Sequence, residues 1–122
     1  MAIALSTVEH IGLHAYGNID LDPQGDWHAL QAIRRALKPD GRLILTVPFG
    51  RRGVAEWQRI YDHSALQELL RDSDFRIEAE NYWTKQGEVQ WVPTPWREAE
   101  QVDSISGGAK AVACVVGRPL RR

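Results

Sequence analysis

The stretch ALKPDGRLILTVP, residues 36–48, decides the fold. Lys38-Pro39-Asp40-Gly41 predicts a chain reversal, because proline ends a helix and an Asp-Gly pair favours a tight turn. The residues that follow, RLILTV at 42–47, are almost all apolar or β-branched, which predicts a strand covered on both faces. The stretch therefore predicts the end of a helix, a short turn and a buried strand.

The residues before this turn predict the helix itself and a first strand. Asp22-Pro23 is the predicted helix start, with the aspartate as cap and proline at the first helical position. Apolar residues then recur at helical spacing, from Trp27 to Leu37. Residues 2–8 form an apolar run typical of a strand, and residues 12–25 form a loop between the two. Strand, helix and strand predict one βαβ unit with parallel strands and a right-handed crossover.

The rest of the chain predicts a second helix, two longer strands and an insertion. In chain order these are a loop at 50–61, a helix from Asp62 or Ser64, a strand at 75–83, an irregular insertion at about 86–108 with a short extra strand at 88–92, and a buried strand at 110–116. The sequence as a whole, residues 1–122, predicts a single α/β domain.

Composition excludes several classes of protein. The 122 residues carry a net charge of −1, and their basic residues are scattered, so a nucleic-acid partner is not expected. A single cysteine, Cys114, excludes an internal disulfide framework and a cysteine-based zinc site. No apolar run is long enough to span a membrane, and the first residues do not form a signal peptide. We therefore expect a cytoplasmic protein.

In this order, the segments resemble the second half of a Rossmann-like S-adenosylmethionine-dependent methyltransferase. The resemblance depends mainly on LSTVEHIG at residues 5–12 and on ALKPDGRLILTVP at 36–48. It implies that residues 2–8 are the fourth strand of that family and residues 42–47 the fifth. The implied sheet has the strand order 4-5-7-6, with the last strand antiparallel and helices packed on it.

One feature of the methyltransferase family has no counterpart in this sequence. The family binds its methyl donor mainly on its first half, through a glycine-rich turn after the first strand. Glycines there let backbone N–H groups and a helix N-terminus approach the ligand. In this chain no Gly-x-Gly follows a predicted strand. The resemblance implies S-adenosylmethionine as the cofactor of the fold, but a chain that does not bind it alone.

The implied sheet also ends in an open edge. The strand at residues 2–8 would lie where the first strand of the family is missing, and exposed apolar edges pair with other strands. We expect a homodimer through the same strand of a second copy, in an isologous arrangement. The alternative is another chain that supplies the missing half.

The candidate catalytic residues are Glu9 and His10, at the end of the first predicted strand. The resemblance implies that this pair faces the methyl donor or the acceptor, with one of the two taking the acceptor's proton. The alternative is that both cap the strand end and bond to nearby backbone. Some relatives bind a divalent metal through a Glu-x-x-Glu-His sequence, but Ser6 stands here in place of the first glutamate, so no metal site is predicted.

Four further residues are candidates for binding a small polar or sugar-like acceptor. They are Ser6, His14, Tyr16 and Trp57, although aromatic rings also serve simply as packing. Three functions remain open from the sequence. The chain is a methyltransferase completed by another chain, a non-catalytic subunit that dimerises or binds a partner, or a fragment of a longer methyltransferase.

Overall fold

The computed structural model describes residues 1–11, 13, 22–55 and 58–120. In chain order these residues form β1 (Ala2–Leu5), a 3₁₀ turn (Val8–His10), α1 (Gly25–Ala36), β2 (Leu43–Pro48), β3 (Gly53–Val54), β4 (Arg59–Ile60), α2 (His63–Asp72), β5 (Phe75–Gln86), β6 (Gln90–Pro93), α3 (Trp96–Ala99) and β7 (Ala111–Pro119). Five strands form one sheet in the order β1-β2-β7-β5-β6, while β3 and β4 form a separate antiparallel hairpin.

The βαβ unit predicted from residues 36–48 is present. β1 and β2 are parallel, with Ala2 opposite Leu43 and Leu5 opposite Thr46. The turn between α1 and β2 is closed by the Gly41 amide, which donates to the Lys38 carbonyl at 2.9 Å. A parallel pair needs a crossover of this kind, because a tight hairpin joins only antiparallel strands.

The sheet confirms the predicted strand order. β1, β2, β7 and β5 follow one another as strands 4, 5, 7 and 6 of the resemblance would, and β7 is antiparallel to β2. β6 adds a further strand beside β5. β5 carries a bulge at Glu78, since Ile77 lies opposite Gly117 and Ala79 lies opposite the adjacent Val116. The extra residue reverses which β5 side chains point to which face.

The helices build the core on one face of the sheet. α2 begins as predicted at Asp62, whose Oδ1 accepts from the Ala65 amide at 2.8 Å. The apolar cluster contains inward-facing strand residues together with residues of all three helices. Its largest fully buried members are Phe49, Leu30, Leu43, Leu45, Leu66 and Leu70.

The opposite face lies outside this cluster. Alternation along the strands places one set of side chains there, and we call it the uncovered face. Its apolar residues are Ile3, Leu5, Ile44, Ala79, Trp83, Val112, Cys114 and Val116. Each of them is half-buried or exposed, and none belongs to the apolar cluster formed by the described residues.

Two predicted boundaries near the first loop were wrong. The strand predicted at residues 2–8 ends at Leu5, because Ser6 adopts a positive φ of 50° and the Thr7 hydroxyl donates to the Leu5 carbonyl. Asp22 does not begin the helix. Its carboxylate accepts from the Gln24 amide at 3.0 Å and closes a turn instead, so that α1 begins at Gly25.

Later boundaries also differ from the prediction. The loop predicted at 50–61 contains the β3–β4 hairpin. In the insertion at 86–108 the short strand predicted at 88–92 is present as β6, shifted to Gln90–Pro93, and α3 lies where irregular structure was predicted. The strand predicted at 75–83 extends to Gln86, and the one predicted at 110–116 runs from Ala111 to Pro119. For each strand, pairing with a neighbouring strand extends or creates the element.

Candidate functional site

Polar side chains gather where β1 and β2 end. The Ser6 amide donates to both the carbonyl and the hydroxyl of Thr46, at 3.1 and 3.0 Å, which fixes the end of β1 against β2. The chain then makes a single 3₁₀ turn, which places Glu9 just after the end of β1. The carboxyl ends of parallel strands are where α/β folds place their ligands.

Glu9 is the most unusual residue of this region. The residue is 0% exposed, and neither carboxylate oxygen has a hydrogen-bond partner among the described residues. The nearest opposite charge is His10, whose Nε2 lies 3.6 Å from Oε2. Burial raises the pKa of the Glu9 carboxyl, and its own backbone amide and His10 oppose this effect more weakly. A buried carboxylate without a partner is costly, so the neutral acid is favoured.

Arg59, on β4, holds the backbone around this turn. One guanidinium nitrogen, Nη1, donates to the carbonyls of Ile11 at 2.6 Å and of Val8 at 3.3 Å. The other, Nη2, donates to the carbonyl of Asp22 at 2.9 Å. Arg59 is only 8% exposed, so these bonds are shielded from water. A single side chain therefore ties the segment after β1 to the segment before α1.

Asp26 and Tyr61 complete the cluster. The Tyr61 hydroxyl donates to Asp26 Oδ2 at 2.6 Å, and Arg59 Nε lies 3.8 Å from the same oxygen. Burial raises the pKa of the Tyr61 hydroxyl, and the charge and hydrogen bond of Asp26 add to that effect. The phenol therefore stays protonated and acts here as a hydrogen-bond donor.

An open groove lies beside this cluster, between the start of α1, α2 and the β3–β4 hairpin. Its volume is about 720 Å³, within the range typical of small-molecule sites. The polar side chains that line it include Asp26, Arg52, Arg59, Tyr61, Glu68 and Asp72, and Trp27 supplies an aromatic wall. The groove therefore offers both donors and acceptors to a ligand.

The structure brings only part of the predicted site together. Glu9 and His10 are adjacent under the end of β1, whereas the Ser6 side chain is exposed to solvent. The other three predicted binding residues, His14, Tyr16 and Trp57, lie outside the described residues. Within the described chain the Glu9 carboxylate makes no hydrogen bond to the backbone of another residue.

Sequence reasoning missed Arg59, Asp26 and Tyr61. Their contacts join residues 33 to 51 positions apart, and a pattern of short period carries no information about such pairs. The strand that carries Arg59, β4, has only two residues, so no alternation in the sequence marks it.

The described part of the chain contains neither a metal-ion site nor a helix that could span a membrane. No three His, Cys, Asp or Glu side chains there lie close enough together to hold a metal ion. None of the helices described has the length and apolar character needed to cross a membrane.

The fold is that of a methyltransferase-like α/β domain. Among similar solved structures is the Burkholderia thailandensis 1,6-didemethyltoxoflavin-N1-methyltransferase with bound 1,6-didemethyltoxoflavin and S-adenosylhomocysteine. The two share 17% sequence identity with a TM-score of 0.57, over 98% of this chain and 44% of that one. The chain therefore spans less than half the length of this neighbour.

The family is shown by the sequence itself. Residues 1–90 match the model of the family described as Caenorhabditis protein of unknown function, DUF268, and the chain belongs to that family. No curated protein matches the chain.

Proposed function

We propose that this chain is the acceptor-side half of a methyltransferase and that another chain or segment supplies the half that binds S-adenosylmethionine. The observation that carries the proposal is the sheet itself. Its order β1-β2-β7-β5, with β7 antiparallel, follows the second half of the methyltransferase sheet. The similar Burkholderia enzyme extends well beyond the matched part, which is 44% of its length.

The described residues of this chain do not fit a methyl donor. A donor site of the Rossmann type needs glycines after a strand, so that backbone N–H groups can approach the ligand. The turns after β1 and β2 are Ser6-Thr7 and Phe49-Gly50, and the Cβ position of Gly50 is already filled by the Val102 carbonyl at 2.4 Å. We therefore assign donor binding to the partner and derive no step of it here.

The contribution of this chain is the handling of the acceptor's proton. S-adenosylmethionine supplies an electrophilic methyl group, and an acceptor O–H or N–H must lose its proton as it is methylated. The His10 side chain is 20% exposed and lies at the mouth of the polar cluster, with the Glu9 carboxylate behind it. In this proposal His10 takes the proton, and its positive charge then favours ionisation of the adjacent Glu9, whose carboxylate stabilises the imidazolium. Ser6, His14, Tyr16 and Trp57 remain the proposed contacts to a small polar acceptor.

The open edge of β1 supports the need for a partner. β1 pairs with β2 on one side, and no described strand lies on its other side. Ile3 and Leu5 are 60% and 58% exposed there, and the strand carries no charged residue that would block pairing. A strand from the donor-binding half would extend the sheet at this edge.

Binding of S-adenosylhomocysteine tests the proposal. The tagged chain is purified both alone and in its complex from the source organism, and each sample is titrated with radiolabelled S-adenosylhomocysteine by equilibrium dialysis. We expect binding by the complex and none by the chain alone. Binding by neither sample would overturn the proposal. Binding by the chain alone would show that a dimer rebuilds the donor site, and the assignment of donor binding to another chain would then be wrong.

The same edge favours a second candidate, a non-catalytic subunit that forms a homodimer through β1. Two copies of an apolar edge strand can pair about a two-fold axis and give one continuous sheet. This candidate predicts a stable dimer of the chain alone, measured by light scattering after size exclusion, whose melting temperature S-adenosylhomocysteine does not change. A ligand at a hundred times its dissociation constant would otherwise add about 2.7 kcal/mol to the free energy of unfolding.

A further inference from the structure

The uncovered face has an arginine-rich end. Arg76 on β5 and Arg118 on β7 are direct cross-strand neighbours, and Arg42 precedes β2 on the same side of the sheet. Like charges directly opposite one another in a sheet are unfavourable without a counter-charge. The bulge at Glu78 supplies part of it, because it turns the Glu78 side chain toward these arginines.

Glu78 neutralises only part of the positive charge of these arginines. Its carboxylate accepts from Arg42 Nε at 2.9 Å and lies 3.8 Å from Arg118 Nε. The hydrogen bond from Arg42 lowers the pKa of Glu78, so the carboxylate is ionised. Arg76 makes no hydrogen bond or salt bridge with the described residues, and it is exposed. Asp40 is the other carboxylate nearby, which leaves three guanidinium groups against two carboxylates.

A recess lies beside Arg76 and Arg118. It has a volume of about 300 Å³ and is lined by Pro39, Asp40, Arg76, Arg118, Pro119 and Leu120. A carboxylate side chain entering it would meet two guanidinium groups against the single carboxylate of Asp40. Arginine binds carboxylates through two parallel hydrogen bonds, which makes such a contact specific as well as favourable.

The centre of the uncovered face is mainly apolar, with the polar residues Thr46 and Asn81 on either side of Cys114. Ile44, Val116 and Cys114 lie side by side on β2 and β7, and Trp83 and Trp91 continue the surface toward the β6 edge. Trp91 is 41% exposed. Sheets with parallel pairs are normally covered by helices on both faces, but the described helices all pack on the other face.

We propose that the uncovered face binds an amphipathic helix of a protein partner, whose apolar side covers β2 and β7 and whose acidic end binds Arg76 and Arg118. A second copy of the chain fits less well. Lys85 lies toward the opposite end of the same face, so either two-fold arrangement of two such faces brings cations together. The identification of this partner as the donor-binding half rests on the proposed function. The apolar surface and its charge do not depend on that function.

Site-specific photo-cross-linking tests this proposal in the full chain. A benzophenone amino acid replaces Ala79, which is exposed on the uncovered face, and in a matched control it replaces Ala36, which is exposed on α1. Both tagged chains are irradiated in cells of the source organism, and the cross-linked peptides are sequenced by mass spectrometry. We expect cross-links from Ala79 to a segment with apolar residues at helical spacing and Asp or Glu toward one end.

Charge reversal then tests the contact between the two arginines and the acidic end of the partner helix. Arg76→Glu with Arg118→Glu should lower the yield of the Ala79 cross-link at least about tenfold, because each lost charge-assisted contact weakens binding. Arg35→Glu on α1 should leave the yield unchanged, and circular dichroism checks that each variant is folded. A cross-link only to a second copy, a segment without acidic residues, an unchanged yield after charge reversal, or no cross-link would each overturn the proposal. Donor binding by the captured partner is measured separately, so the two proposals fail independently.

Discussion

Glu9 gives this protein a pH-dependent stability that a single substitution would remove. Burial raises its pKa in the folded chain above the ordinary value of 4.5, so the folded state binds the proton more tightly than the unfolded state does. The free energy of unfolding is therefore highest at pH values below the ordinary pKa of the carboxyl. It falls as the pH rises through the raised pKa of the folded state. Glu9→Gln keeps the shape of the side chain without the charge.

We expect Glu9→Gln to match the parent chain near pH 4 and to be more stable at pH 8, by about 1 kcal/mol or more. Urea unfolding at both pH values measures the difference. Glu68→Gln, at an exposed position of α2, is the control and should show no such pH dependence. If Glu9→Gln were less stable at pH 8, the ionised carboxylate would have a stabilising partner and the assignment of an unpaired acid would fail.

The Tyr61 hydroxyl is a second residue whose role can be measured. Tyr61→Phe removes the 2.6 Å donor from Asp26 Oδ2 and leaves that nearly buried oxygen with one distant partner, Arg59 Nε at 3.8 Å, while Oδ1 keeps its bond from the Trp27 amide. We expect the free energy of unfolding to fall by about 1–3 kcal/mol. Tyr82→Phe is the matched control, because that hydroxyl bonds Glu80 at 3.3 Å and water can replace it. Equal losses for the two variants would contradict a special role for the Tyr61–Asp26 pair.

Some of these residues were predictable from sequence and others were not. The cap at Asp62 follows from a local rule, since a carboxylate two or three residues before a helix amide accepts its hydrogen bond. Glu9 and His10 were predicted as a site because polar residues follow an apolar run. Arg59 was not predicted, because its three carbonyl partners come together only when β4 packs beside the turn that follows β1.

At the scale of elements, Gly50 joins the end of β2 to its neighbours. Its φ is 150°, and a Cβ there would lie 2.4 Å from the Val102 carbonyl oxygen. Its amide also donates to the Tyr61 carbonyl at 2.9 Å, which ties β2 to the residue after β4. The segment after α3 is thus packed directly against the end of β2.

Gly50→Ala should therefore be strongly destabilising, by more than about 4 kcal/mol or enough to prevent folding. Gly87 is the control, because its φ is also positive at 68° but no atom lies within 4 Å of its Cβ position. Gly87→Ala should cost about 1 kcal/mol, the strain of the backbone alone. Soluble yield and urea unfolding of both variants measure the difference. A mild effect of Gly50→Ala would show that the Val102 segment can move away.

The helices and strands show which features of the fold can be predicted from hydrophobic pattern and turn residues. The main helices and strands were predicted in the right order because hydrophobic runs and turn residues are local signals. The sheet order β1-β2-β7-β5 is not local, and only the resemblance implied it. The β3–β4 hairpin was missed, since strands of two residues are too short to show alternation. The bulge at Glu78 was missed as well, because it is defined by the register of β5 against β7 and leaves no local signature.

At the scale of the whole molecule, two surfaces remain without a described neighbour, and they meet at β1. The uncovered face ends at Ile3 and Leu5, and these residues also form the open edge of the sheet. A partner that adds a strand at the edge and a helix on the face would cover both surfaces. The isolated chain has no such partner, so its edge is free to pair with another copy.

We therefore expect the purified chain to self-associate through β1, with an apparent mass that rises with concentration. Replacing both Ile3 and Leu5 by Lys should shift it toward the monomer, because charged side chains on an edge strand prevent pairing. Val89→Lys is the control, since Val89 is 91% exposed at the β5–β6 turn and far from β1 in the sheet order. Sedimentation velocity over a range of concentrations measures all three chains. If the Ile3 and Leu5 variant associates as strongly as the parent, association does not use the β1 edge, and the β1 homodimer proposed as the second candidate function would be wrong.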